Sequence, residues 1–170
     1  MRCEEAVSPV IGVLLMLTLT LIVAAIVNSF AGGLMDTKEK APMVTLQCTY
    51  SQASEHILIS HVSGDPLPTN AVKVFFQPSR TFGDDNLKNI LEIDKTLIKK
   101  DKSDSEINWA NGINSLKVGE THGIFGNSNI TKIQSDTIDI IDPNEIGNSF
   151  YLEFYYDRNL IAKSEVFIQP

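Results

Sequence analysis

From Ala6 to Met35 the chain contains no Asp, Glu, Lys or Arg. A membrane-spanning helix needs about 20 apolar residues, and Val7 to Leu34 offers more than that. At about 1.5 Å per residue the stretch would be about 42 Å long, against about 30 Å of bilayer hydrocarbon. A secretory signal would have an apolar run of only about 7–15 residues after a basic segment. Here the preceding residues, MRCEE, are net acidic. Ser8 suits an N-cap, and Pro9 suits the first turn, where its missing N–H is no loss. The helix is therefore expected to begin at about residues 7–9. Beyond Pro9 the sequence is apolar on all sides, which excludes an amphipathic surface helix.

Small residues recur along this stretch. Ala25, Ser29 and Gly33 stand four residues apart, and Ala24, Asn28 and Gly32 form the neighbouring stripe. Such stripes let helix backbones approach closely, and Asn28 can hydrogen-bond across the contact. The same spacing also suits a lone anchor whose small residues taper towards the membrane edge.

The rest of the chain is acidic. Residues 36–170 hold 13 of the 14 basic and 19 of the 21 acidic side chains. That balance argues against a nucleic-acid partner, which would need a basic stripe, and against docking on anionic lipid through a charged face. The two cysteines, Cys3 and Cys48, cannot make a disulfide framework or a CxxC metal site. Cys48 alternates with apolar residues and reads as a buried thiol in a strand.

The segment Ala6-Val7-Ser8-Pro9-Val10-Ile11-Gly12-Val13-Leu14-Leu15-Met16 closely resembles the N-terminus of archaeal type IV pilins. The resemblance covers about residues 5–34. It implies a short leader, residues 1–6, removed by a membrane peptidase of the prepilin type between Ala6 and Val7. It further implies an apolar helix at 7–35 that serves first as membrane anchor and then as filament core, packed against other pilin subunits. A β-rich head on the outside of an archaeal cell would follow. Glu5 stands where that family more often has Arg or Lys. Ile11 stands where bacterial type IV pilins carry a glutamate, as expected for the archaeal SPVIG group.

Residues 36–41 read as a polar hinge and 42–170 as the head. MVTLQCTY alternates, with Val44, Leu46, Cys48 and Tyr50 on one face. Glu55–Val62 and Ala71–Gln77 alternate likewise, separated by the turn-forming SGDPLPTN. HVSGDPLP resembles an H-x-G-G-D-P-L segment of archaeal pilin heads, with Ser63 in place of the first glycine. SFYLEFYY and NLIAKSEVFI form a closing hairpin around Asp157-Arg158-Asn159, with Leu160, Ala162 and Val166 expected inward. Shorter strands are expected at Ser115–Val118, His122–Phe125 and Thr137–Ile141. Residues 79–106 read as an insertion, a short helix or exposed loop, with Asp84 and Asp85 as candidate caps. The expected class is α+β: a long N-terminal helix, then a mainly antiparallel β-sandwich.

Candidate chemistry is sparse. His56, His61 and His122 lack ligand spacing. Asp136, Asp139, Asp142 and Glu145 have no EF-hand glycine and describe an exposed strand face. No cofactor, metal or small-molecule substrate is expected, and no nucleophile motif points to an enzyme. Trp109 in NWANG reads as a core or rim anchor rather than a sugar platform. Asn129-Ile130-Thr131 is a glycosylation sequon. Two functions compete: a pilin-like subunit of a surface filament for attachment, and a non-polymerising anchored module gripping S-layer or polysaccharide, similar to stator-like parts of the archaeal motility machinery.

Overall fold

The structure, a computed structural model, describes residues 7–33, 40–103, 106–135 and 137–170. Ala6, Asp136 and residues 36–39 of the expected hinge lie outside the described residues, as do the side chains of Val7 and Ser8. The chain divides between residues 40 and 41 into two compact units. The first contains one helix, α1 (Val7–Gly33), 27 residues long. It is about 40 Å in length.

The head begins with β1 (Val44–Ser51) and β2 (His56–Gly64), followed by β3 (Leu67–Pro68) and β4 (Val72–Pro78). Then come β5 (Leu91–Glu92), β6 (Ser115–Leu116) and β7 (Thr121–Phe125). The chain closes with β8 (Ser149–Tyr156) and β9 (Asn159–Gln169). Seven strands make one sheet in the order β5-β4-β8-β9-β1-β2-β7, and β3 pairs with β6 apart from it. All pairings are antiparallel except β1 with β9. The expected class, α+β with an apolar helix followed by a mainly antiparallel β head, is what the structure shows. The head, however, is one seven-stranded sheet with a separate two-stranded pair rather than the two packed sheets of the expected β-sandwich.

The parallel seam is short. Ladder partners are Tyr50 with Ile168 and Ser51 with Gln169. Further along, the Cys48 N–H donates to Ser164 Oγ at 3.0 Å. A side chain thus substitutes for a carbonyl where the two strands part, so the Cys48 amide is not left unpaired.

The inward face follows strand alternation. Leu46, Cys48 and Tyr50 of β1 are buried, as are Val72, Val74 and Phe76 of β4 and Phe150, Leu152, Phe154 and Tyr156 of β8. Phe150 packs against Phe76 at 5.0 Å and Tyr50 at 6.3 Å between ring centroids. The layer that completes this core comes largely from connecting segments, through Ile93, Leu97, Ile98, Trp109, Ile130, Ile133, Ile138 and Ile140.

Three local expectations are corrected. Thr137–Ile141 is not a strand. Ile138 and Ile140 do alternate inward, but side chains take the place of a ladder. The Ile140 N–H donates to Gln134 Oε1, the Ile141 N–H to Asp139 Oδ1, and the Ile140 carbonyl accepts from Gln52 Nε2. Leu160 is exposed rather than inward, because a bulge between Phe154 and Tyr155 shifts the β8–β9 register. A single-residue shift flips a side chain to the other face. Among their described members, residues 79–106 contain three short 3-10 turns and β5 instead of an α-helix. Gly83 rather than an aspartate occupies the N-cap of the turn over Asp84–Lys88. The segment is not simply exposed, since Ile93 and Ile98 are buried.

Candidate functional site

Pro9–Phe30 is 22 residues long and apolar enough to cross a membrane, and every side chain in it is exposed within the chain. Such a surface has to be covered by lipid or by other protein. The polar atoms inside it are handled locally. Thr18 Oγ1 donates to the Leu15 carbonyl at 3.0 Å, and Thr20 Oγ1 to the Leu17 carbonyl at 2.9 Å. This is the usual way a hydroxyl is satisfied in a helix surrounded by hydrocarbon.

Asn28 differs. Its amide makes no hydrogen bond among the described residues, and it stands exposed two residues before Phe30. Ala25 and Ser29 flank it, also exposed. Gly33 is the last helical residue. The helix therefore presents small residues beside an unsatisfied amide on an otherwise hydrocarbon surface.

Residues 5–46 match the family model of the archaeal type IV pilin N-terminal domain. That family is structural. The chain is also similar to an uncharacterized protein of Archaeoglobus fulgidus, 38% identical over 72 residues. The alignment covers 42% of this chain and 51% of that relative, so the chain spans about half the relative's length.

The pilin-type match runs from the helix into the start of β1, where the head is clamped. The Asp65 N–H donates to the Met43 carbonyl at 2.8 Å, and Asp65 Oδ2 accepts from the Met43 N–H at 3.0 Å. Gly64 has φ +110°, and a Cβ there would lie 2.1 Å from the Met43 carbonyl oxygen. The Gly-Asp-Pro segment thus closes the turn after β2 against the residue that leads into β1. Sequence reading recognised the turn but not its partner, because Met43 lies 22 positions away.

The other singled-out residues separate. Trp109 is fully buried, and its Nε1–H donates to His122 Nδ1 at 2.8 Å. Burial holds the His122 pKa below its ordinary value, against the opposing pull of Glu120. His61 is buried without a hydrogen bond to either ring nitrogen, and His56 lies on the opposite face of β2. Among the described residues no three His, Cys, Asp or Glu side chains group as metal ligands. Asp139 and Asp142 instead accept backbone N–H groups of their own turns. Cys48 is buried, and burial pushes its thiol up to about 12 despite the Ser164 hydrogen bond. Asn129 is half-buried on a short helical turn, and its Nδ2 donates to the Phe125 carbonyl at 2.8 Å.

Proposed function

We propose that this chain is a type IV pilin-like subunit of an archaeal surface filament that serves attachment. Its apolar helix anchors the protein in the membrane before assembly and then packs with the helices of other copies. The head stays on the outside, and the chain performs no chemistry itself. The observation that carries this reading is the fully exposed apolar helix at Pro9–Phe30, lying within the residues that match the pilin N-terminal model.

The finer assignments follow from it. A prepilin-type peptidase cuts between Ala6 and Val7, leaving Val7 as the mature N-terminus. Ala25, Asn28, Ser29 and Gly33 form the packing face. The small side chains allow close approach, and the free Asn28 amide supplies a hydrogen bond across it. Asn129 carries a glycan where the host glycosylates its surface proteins.

Mass spectrometry of a sheared surface fraction tests the reading. The expected result is a chain beginning at Val7 in the filament fraction, with added mass on the Asn129 peptide. A chain that begins at Met1 and stays entirely in the membrane fraction would overturn the filament reading. A Val7 chain confined to membranes would favour the non-polymerising anchor.

A further inference from the structure

Trp109 is sealed in the core, so it offers no ring to a ligand. Two other rings do. On the outward face of the sheet Phe75 and Tyr155 sit on adjacent strands, β4 and β8, with centroids 5.4 Å apart and planes at 86°. Both are half-buried. They line a pocket of about 600 Å³ together with Ile90, Lys73, Asp157 and Arg158. That volume lies within the range of small-molecule sites, about 300–1,000 Å³.

The polar groups around the pocket sort themselves by partner. Lys73 pairs with Glu92 at 3.0 Å, and Lys163 pairs with Glu153 at 2.8 Å. The second oxygen of Glu153 accepts from the Tyr155 hydroxyl at 2.9 Å, which fixes that ring. Asp157 and Arg158 are left with no ion pair among the described residues. They stand side by side at the tip of the β8–β9 hairpin, and both line the pocket. Of the residues that line the pocket, two cations, Lys73 and Arg158, face two carboxylates, Glu153 and Asp157, a balance that favours neither an anion nor a cation as guest.

The turn itself gives a second reason to look here. Asp157 has φ +42° and Arg158 φ +68°. A two-residue hairpin with both central residues left-handed strongly prefers Asn-Gly or Asp-Gly. An arginine at the second position is strained there and adds nothing to the turn.

We infer that this pocket binds a neutral carbohydrate unit. One ring of the perpendicular Phe75–Tyr155 pair stacks on the C–H face of a sugar while the other flanks the sugar's edge. The Asp157 carboxylate accepts from one ring hydroxyl, while the Arg158 guanidinium donates to its neighbour. An anionic sugar would meet Asp157 and a cationic ligand would meet Arg158, whereas vicinal hydroxyls satisfy both. The site goes beyond the filament reading and holds equally for a head on a filament or on a lone anchor.

The full-length protein in detergent micelles, titrated with cellotetraose, mannotetraose and trigalacturonate, tests this by calorimetry and saturation-transfer NMR. At least one neutral probe is expected to bind in the millimolar range, and trigalacturonate more weakly. Tyr155→Ala and Arg158→Gly should each weaken that binding about tenfold or more. Arg158→Gly also relieves the left-handed strain, so its melting temperature should rise while binding falls, which separates loss of the site from loss of the fold. The inference is overturned if neither neutral probe binds at millimolar concentration. It is also overturned if both variants bind like the parent, or if trigalacturonate binds as tightly as the neutral sugars.

Discussion

Two residues in the head carry local commitments that can be tested singly. His122 accepts from the buried Trp109 N–H through Nδ1, which requires a neutral imidazole with its proton on Nε2. Its folded-state pKa lies below the ordinary value, chiefly through burial. Glu120 opposes that shift and Lys100 adds to it. The unfolded chain, near about 6.5 at this group, therefore takes up the proton first as pH falls. The contribution of His122 is fully present above about pH 6.5 and is lost as the pH falls from there towards the folded value. Thermal melts between pH 8 and 5 should show this loss. A His122→Gln variant keeps an acceptor for Trp109 and should have a shallower pH dependence than the parent. An identical pH dependence in both would assign the effect elsewhere. Gly64 is the second such residue. Its left-handed φ and the Met43 carbonyl at 2.1 Å from a built Cβ make Gly64→Ala both strained and overpacked. Denaturant unfolding should show a loss of about 3 kcal/mol or more. A loss under about 1 kcal/mol, as at an unremarkable surface site, would mean that the clamp yields.

At the scale of elements, alternation located β1, β2, β4 and β9, because each buries one face and leaves the other wetter, whereas β8, central in the sheet, has no exposed residue on either face. The same signal misled at Thr137–Ile141. Ile138 and Ile140 do point inward, but alternation records burial and not pairing, and here Gln134, Asp139 and Gln52 supply the hydrogen bonds. Leu160 was misplaced because a bulge leaves no mark on composition. Of the sites, the helix was legible from charge alone. The Met43–Asp65 clamp and the Phe75–Tyr155 pocket were not, because each joins residues distant in sequence. The β1–β9 seam belongs to the same class. There the buried Cys48 N–H relies on the Ser164 hydroxyl. Ser164→Ala should leave that amide unpaired and destabilise the head by about 1–3 kcal/mol. An unchanged unfolding midpoint would show that the strands close up, or water enters, without penalty.

For the whole molecule the deciding question is what covers α1. If the helix is only an anchor, Ala25 and Ser29 face lipid, and larger apolar side chains do no harm. Their transfer into hydrocarbon would even become more favourable. If the helix packs against copies of itself, those positions lie where backbones approach, and added methylenes collide. Overpacking in a well-packed interior costs about 1–3 kcal/mol per site, and in a polymer the penalty recurs at every subunit. Ala25→Leu combined with Ser29→Leu should therefore leave expression, membrane insertion and a Val7 N-terminus intact while abolishing filaments. Asn28→Leu should weaken them less. Its amide has no partner among the described residues, and an interhelical side-chain hydrogen bond is worth only about 0.6 kcal/mol on average. Electron microscopy of cells making only this subunit distinguishes the cases. Normal filaments from the double variant would show that this stripe is not the packing face. Loss of filaments with unaltered processing would place the helix–helix contact on the small residues rather than on the large apolar side chains around them.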